Sequence, residues 1–222
     1  MLENGALTGV KVLDLSRLLP GPFCSMILAD HGAEVIAIED KRFQADGLFL
    51  TPVNRNKKHM SLNLKTDAGQ EIFFRLAKEA DVVLEGFRAG VVDRLGLGDE
   101  AVRRINDRII YCAVTGYGQT GPLRDRAGHD VNYLALAGVL DQIGEKDRSP
   151  VIPGVQLADI AGGGMNGAIG ILLALLARER TKKGQYIDIS MTDGMVSLLP
   201  VPLFFKQLLG RFPERSDGML SH

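Results

Sequence analysis

Cysteine is too scarce here for a disulfide scaffold: Cys24 and Cys112 are the two among 222 residues, far apart in an otherwise core-rich chain. That usage points to a reducing compartment, and the expected location is the cytoplasm. His31, His59, His129 and His222 are scattered, without metal-ligand spacing. An excess of charge of either sign is missing too. With 26 Lys and Arg against 27 Asp and Glu the formal net charge is -1, so nothing in bulk attracts nucleic acid or an anionic membrane. The most apolar run, Ala168 to Ala177, is too short to span a bilayer. Neither nucleic acid nor membrane is therefore an expected partner. The opening MLENGALTGVKVLDLS has no basic stretch followed by an apolar one, so no secretory signal is read there. What is present is ordinary for a folded domain: 45% hydrophobic and 24% charged residues, and enough chain to bury a large core.

Strand-like and helix-like segments alternate. KVLDLS, residues 11–16, reads as a buried strand; Pro20-Gly21-Pro22 makes a turn into a helix over 23–30; EVIAIE, 34–39, is a second strand. Such a β-α-β unit builds parallel sheets. It has no GxGxxG after its first strand, so a nicotinamide oxidoreductase is disfavoured. Residues 41–65 are irregular and basic, either a solvated loop or a cluster in which Arg55, Lys58 and their neighbours hold a polyphosphate. Asp67 is expected to cap a helix over 68–80, and DVVLE, 81–85, is a third strand. Gly86-Phe87-Arg88 follows at its carboxyl end, where open α/β sheets place ligands. Arg88 is thus a candidate anion contact, with a structural ion pair as the alternative. A helix near 99–106, a strand IIYCAVT at 109–115 and a GYGQTGP turn complete a third strand end on that edge. Further on come a helix to Arg180, a strand YIDISM at 186–191, and a helix over 195–209 broken by Pro200 and Pro202. The expected fold class is α/β, a doubly wound, mostly parallel sheet with helices on both faces.

The segment from Gly128 to Gly164 carries two acid/base side chains, His129 and Asp159. Asp159 follows Val155-Gln156-Leu157-Ala158 and precedes Gly162-Gly163-Gly164 and an apolar helix. A carboxylate at a helix start has ionisation favoured by roughly 0.3–1 kcal/mol when exposed. That suits a nucleophile or a base, and an Asp that merely caps the helix is the plain alternative. A histidine in a loop is equally compatible with a structural hydrogen bond.

Taken in order, LTGVKVLDLSRLLPGPFCSMILADHGAEVIAIE, LEGFRAGVVDRLGLG, TGYGQTGP, GHDVNY and VQLADIAGGGMNGAIGILLALLARERTKKGQYIDISMTDG resemble the family III (CaiB/BaiF) CoA-transferases, which include the alpha-methylacyl-CoA racemases. The resemblance implies a CoA-binding large domain, residues 1–200 here, and an interlocked homodimer when the chain is complete. It implies an acyl-CoA thioester as substrate and no added cofactor or metal. Residues 201–222 read as the start of a linker, with the family's smaller domain expected beyond His222. In transferases the residue matching Asp159 attacks the thioester. In racemases it shares proton transfer with the residue matching His129, which tilts the reading towards a 2-methylacyl-CoA racemase, with a CoA-transferase as the alternative and an inactive CoA-binding fragment as a third. Arg88, Lys58, Arg55 and Lys41 are the expected contacts to CoA. Val155 stands where similar racemases tend to carry Asn, and Ala37 and Asp40 precede the basic pair Lys41-Arg42.

Overall fold

A computed structural model describes residues 5–40 and 51–215. In chain order its elements are β1 (Lys11–Asp14), α1 (Pro20–Asp30), β2 (Glu34–Glu39), β3 (Lys57–Ser61), α2 (Asp67–Ala77), β4 (Val82–Glu85), α3 (Val91–Arg94) and α4 (Asp99–Arg103). There follow β5 (Ile110–Thr115), α5 (Asp130–Ala137), α6 (Asn166–Thr181), β6 (Tyr186–Ser190), α7 (Met191–Val196) and α8 (Pro200–Leu209). A π-helical turn, Ala158–Met165, runs directly into α6.

The six strands form one sheet in the order β3-β2-β1-β4-β5-β6, and every pair is parallel. This is the doubly wound arrangement, with the change of winding direction between β1 and β4. Side chains alternate across the sheet with the period of a strand. Val12, Leu84 and Cys112 face one way, onto Leu28 of α1 and Ile171 of α6. Leu13, Val83 and Tyr111 face the other way, onto Phe73 and Ala77 of α2 and Val102 of α4. Each fully buried large side chain contributes about 1.5–3 kcal/mol. Both cysteines are unpaired and buried.

Several boundaries differ from the sequence reading for identifiable reasons. Pro20-Gly21-Pro22 is the first turn of α1 rather than a turn before it; proline lacks a donor that the first turn leaves unused anyway. Thr66, not Asp67, caps α2, its Oγ1 accepting from the Gly69 amide at 3.2 Å. The largest correction is β3. Residues 57–61, KKHMS, lie in the stretch read as irregular, yet they pair with β2 from Val35↔Lys57 to Glu39↔Ser61. An edge strand with charged side chains shows no apolar alternation, so periodicity could not reveal it. The break expected around Pro200 is present: Ser190 caps α7, and α8 opens at Pro200.

The stretch Ala158–Thr181 is long and apolar enough, by length and composition, to cross a membrane. In this fold one side of it packs on the sheet and α1 through Gly167, Ala168, Ile171 and Ala174, as the core helix of an α/β domain does.

Candidate active site

The GHDVNY motif folds into a helix start that holds itself in place. His129 is the N-cap residue of α5, and its amide donates to Asn132 Oδ1 at 2.9 Å while the Asn132 amide returns to the His129 carbonyl at 2.8 Å. Tyr133 donates its hydroxyl proton to the Gly128 carbonyl at 2.7 Å, and its ring meets Tyr117 edge-on with centroids 5.2 Å apart. Gly128 has to be glycine, because a Cβ there would lie 2.6 Å from the Tyr133 ring and 2.7 Å from the Tyr117 hydroxyl. Asp130, the first helical residue, accepts the Asp159 amide on Oδ1 at 2.9 Å. That bond ties the two halves of the segment together. His129 and Asp159, thirty residues apart in sequence, are joined through the side chain between them.

Asp159 is the second residue of the π-helical turn. It is not the cap; Leu157 occupies that position, and no side-chain cap bond is made. Three successive glycines let this turn sink between α1 and α7. A Cβ on Gly163 would be 2.9 Å from Pro20 Cβ, one on Gly164 2.8 Å from the Phe23 ring, and one on Gly162 2.7 Å from the Met191 carbonyl. Half-buried in this way, the Asp159 carboxyl is pushed up to about 6, by burial first, then by Asp130, with His129 acting the other way. The helix start was expected to favour its ionisation; loss of solvent and a second carboxylate outweigh that contribution. Burial, then Asp159 and Tyr117, raise Tyr133 to about 12, while Arg88 acts in the opposite direction. Tyr133 therefore remains a phenol at neutral pH and keeps its bond to Gly128.

The carboxyl ends of β1, β4 and β5 are adjacent, as the sequence reading expected. Gly86 at the end of β4 leaves 3.4 Å between a notional Cβ and Ser16 Cβ. Arg88, on this edge, is exposed and within electrostatic reach of Tyr133. Two further guanidinium groups gather at Gly90, two residues on: Arg94 Nη1 and Arg124 Nη2 lie 3.3 and 3.7 Å from the position of a Cβ on that residue, which is in the left-handed region at φ 74°. The sequence reading missed both, although Arg94 stands six residues after Arg88 in FRAGVVDR. Asp130 and Tyr133 were also missed as organisers, despite standing inside the GHDVNY motif.

Lys58 and Arg55 are not brought to this edge. Lys58 pairs with Glu34 at 2.6 Å, at the start of β2, and Arg55 grips Asp30 at the end of α1 with Nε at 3.0 Å. Both positions are at the amino ends of the strands. Lys41 lies outside the described residues. No group of three or more His, Cys, Asp or Glu side chains suited to a metal ion occurs among the described residues.

Residues 7–221 match the profile of CoA-transferase family III. The chain belongs to that family. It is 46% identical over 193 residues to the alpha-methylacyl-CoA racemase of Homo sapiens, covering 87% of this chain and 50% of the relative. It is 39% identical over 224 residues to the acetyl-CoA:oxalate CoA-transferase of Acetobacter aceti, covering 96% of this chain and 57% of that protein. Among solved structures, a CaiB/BaiF family protein from Brucella suis superposes with a TM-score of 0.91 at 37% identity, covering 96% of this chain and 60% of the other. The chain thus spans about half the length of the curated family members it matches. Racemases and transferases are both represented among its relatives.

Proposed function

We propose that this chain is the CoA-binding part of an acyl-CoA enzyme that racemises 2-methylacyl-CoA thioesters, with His129 and Asp159 as the two proton-transfer groups. The observation that carries the reading is the bond from the Asp159 amide to Asp130, which joins the His129 helix start to the turn bearing a carboxyl poised near 6. Racemisation needs a group on each side of the α-carbon. One takes the proton, the C–H electron pair moves into the enolate with negative charge on the thioester oxygen, and the other returns a proton to the opposite face. Each group ends with its protonation reversed, and exchange with solvent restores it. A carboxyl near 6 changes state close to neutrality, which suits a group that alternates as acid and base, and an imidazole is a common partner in such proton transfers.

Arg88, Arg94 and Arg124 form the anion contact we assign to the CoA phosphates, since guanidinium forks bind phosphate oxygens in pairs. Lys58 and Arg55 hold the amino edge by their ion pairs instead. Acyl-CoA is the substrate in this reading; no further cofactor enters it, the location is the cytoplasm, and a homodimer completes the site.

Transfer of CoA between carboxylic acids is the second reading, favoured by the Asp159 side chain itself, to which no hydrogen bond or ion pair is assigned among the described residues. As nucleophile it would displace the CoA thiolate from the thioester and form a mixed anhydride. The full-length protein incubated with an (R)-2-methylacyl-CoA in deuterated water, without acceptor acid, separates the two. Racemisation gives α-deuterium and loss of optical purity. Absence of deuterium, with CoA exchange once acceptor acids are added, makes Asp159 a nucleophile and His129 a structural residue.

A further inference from the structure

We propose that Lys57 is a positioning residue for Asp159: its buried ammonium fixes the first turn of α1, and that turn is the wall against which the Asp159 turn is seated. Lys57 belongs to the same basic stretch as Arg55 and Lys58, whose side chains are more than half exposed, yet its own side chain is 0% exposed. Its Nζ donates to the Pro22 carbonyl at 2.8 Å and lies 3.6 Å from Asp14 Oδ2. Asp14, buried at the end of β1, also accepts the Ser16 amide at 2.8 Å and the hydroxyls of Ser16 and Ser25. One cluster therefore joins the end of β1, the start of β3 and the first turn of α1.

Removing an ammonium and a carboxylate from water costs several kcal/mol each, and apolar side chains of the same volume often serve stability as well or better. What apolar side chains cannot do is hold the Pro22 carbonyl and the Ser16 turn at fixed places. Within that turn Leu18 sits at φ 70°, a left-handed conformation that a leucine keeps only when its surroundings impose it. Pro20 and Phe23, on either side of Pro22, are the residues that leave no room for a Cβ on Gly163 and Gly164. Those glycines follow Asp159 by four and five residues, one turn of a π-helix. A shift of α1 at Pro22 is thereby transmitted to the carboxyl-bearing turn through contacts without slack.

The inference rests on Asp159 as the reacting carboxyl, so the test needs one readout that is independent of the reaction. In the full-length protein, Lys57→Met and the double variant Lys57→Met with Asp14→Asn are compared with the parent by amide hydrogen exchange and by turnover of acyl-CoA. Lys57→Met is expected to raise exchange in residues 21–25 and 159–165 about tenfold, leaving β5 amides unchanged. It should lower kcat about tenfold with KM within about twofold, as misplacement of a reacting group does. The double variant, with no unpaired buried charge, regains the parent melting temperature and not its kcat, because the Ser25 hydroxyl that remains 3.3 Å from the Pro22 carbonyl belongs to α1 itself and cannot tie it to β3. Recovery of both would make Lys57 a stability element only and overturn the proposal, as would exchange that is unchanged or raised evenly across the sheet. If the parent handles no acyl-CoA, the functional reading falls, and the exchange pattern still decides whether Lys57 holds the Asp159 turn.

Discussion

A carboxyl that keeps its proton to about pH 6 is ionised in most molecules at neutrality and still exchanges readily, and under the proposed racemisation this would set the pH dependence of the rate. In the direction of racemisation where Asp159 abstracts the proton, kcat should rise as pH increases through about 6. In the opposite direction Asp159 must deliver the proton, and kcat should fall over the same interval. Initial rates from each enantiomer across pH 5 to 8, roughly bracketing that pKa, check this; a transferase would show the rise alone. Asp159→Asn should abolish either reaction. His129→Ala should lower racemisation by about 10²–10⁴-fold and largely spare transfer, as loss of one acid/base group does. Glu85 offers a stability counterpart. Buried at the end of β4, it is raised to about 8 by burial, partly offset by the Phe87 amide and reinforced by Asp93 and Asp188. Between the ordinary carboxyl pKa and 8 the folded state binds the proton more tightly than the unfolded state. Stability from this group is therefore lost as pH rises through that window. Glu85→Gln, which carries no charge at any pH, should match the parent at about pH 4 and exceed it by several kcal/mol at about pH 9, because each tenfold difference in proton affinity between the two states is worth about 1.4 kcal/mol. Urea unfolding at the two pH values is the measurement.

At the scale of elements, the π-helical turn works only because residues 162–164 lack side chains. Gly164→Ala should destabilise the fold by about 1–3 kcal/mol, the usual cost of overpacking, and depress turnover more than it raises KM; equilibrium unfolding and kinetics report the two. This turn also shows what the sequence made legible. The run of glycines after Asp159, His129 before an apolar helix and Arg88 at a strand end all carry local signatures; Asp159 and Arg88 lie within electrostatic reach of Tyr133, and His129 within reach of Asp159. Strands β1, β2, β4, β5 and β6 were likewise visible as short apolar runs. The basic stretch was not readable in the same way. Arg55, Lys57 and Lys58 look alike in sequence, yet two turn outward to surface acids at the amino edge and one turns into the core; only the pairing of β3 with β2 decides which. Asp130 escaped notice because its role is a bond to a backbone amide 29 residues away, which has no local pattern.

The molecule as a whole leaves a wide apolar strip uncovered. Ile169, Leu172, Leu173 and Leu176 of α6 are exposed on the side away from the sheet, Leu173 and Leu176 by 62% and 65%, and Phe204 and Leu208 of α8 are exposed as well. Patches of this kind mark surfaces that associate. The 222-residue chain alone should therefore sediment as more than a monomer, and Leu173→Glu with Leu176→Glu should shift it towards the monomer without loss of helical signal. Sedimentation velocity with circular dichroism checks both parts.

The three glycines that admit α1 on one side and α7 on the other have a consequence for synthesis. The turn bearing Asp159 is walled by residues made well before it, Pro20 and Phe23, and by Met191, made well after it. Until Met191 has left the ribosome, a nascent chain already carries both His129 and Asp159 but lacks one side of the slot that holds the second. The two side chains of the proposed acid/base pair are thus made before the slot that seats Asp159 is closed, and the carboxyl takes its place only when α7 folds against the three glycines.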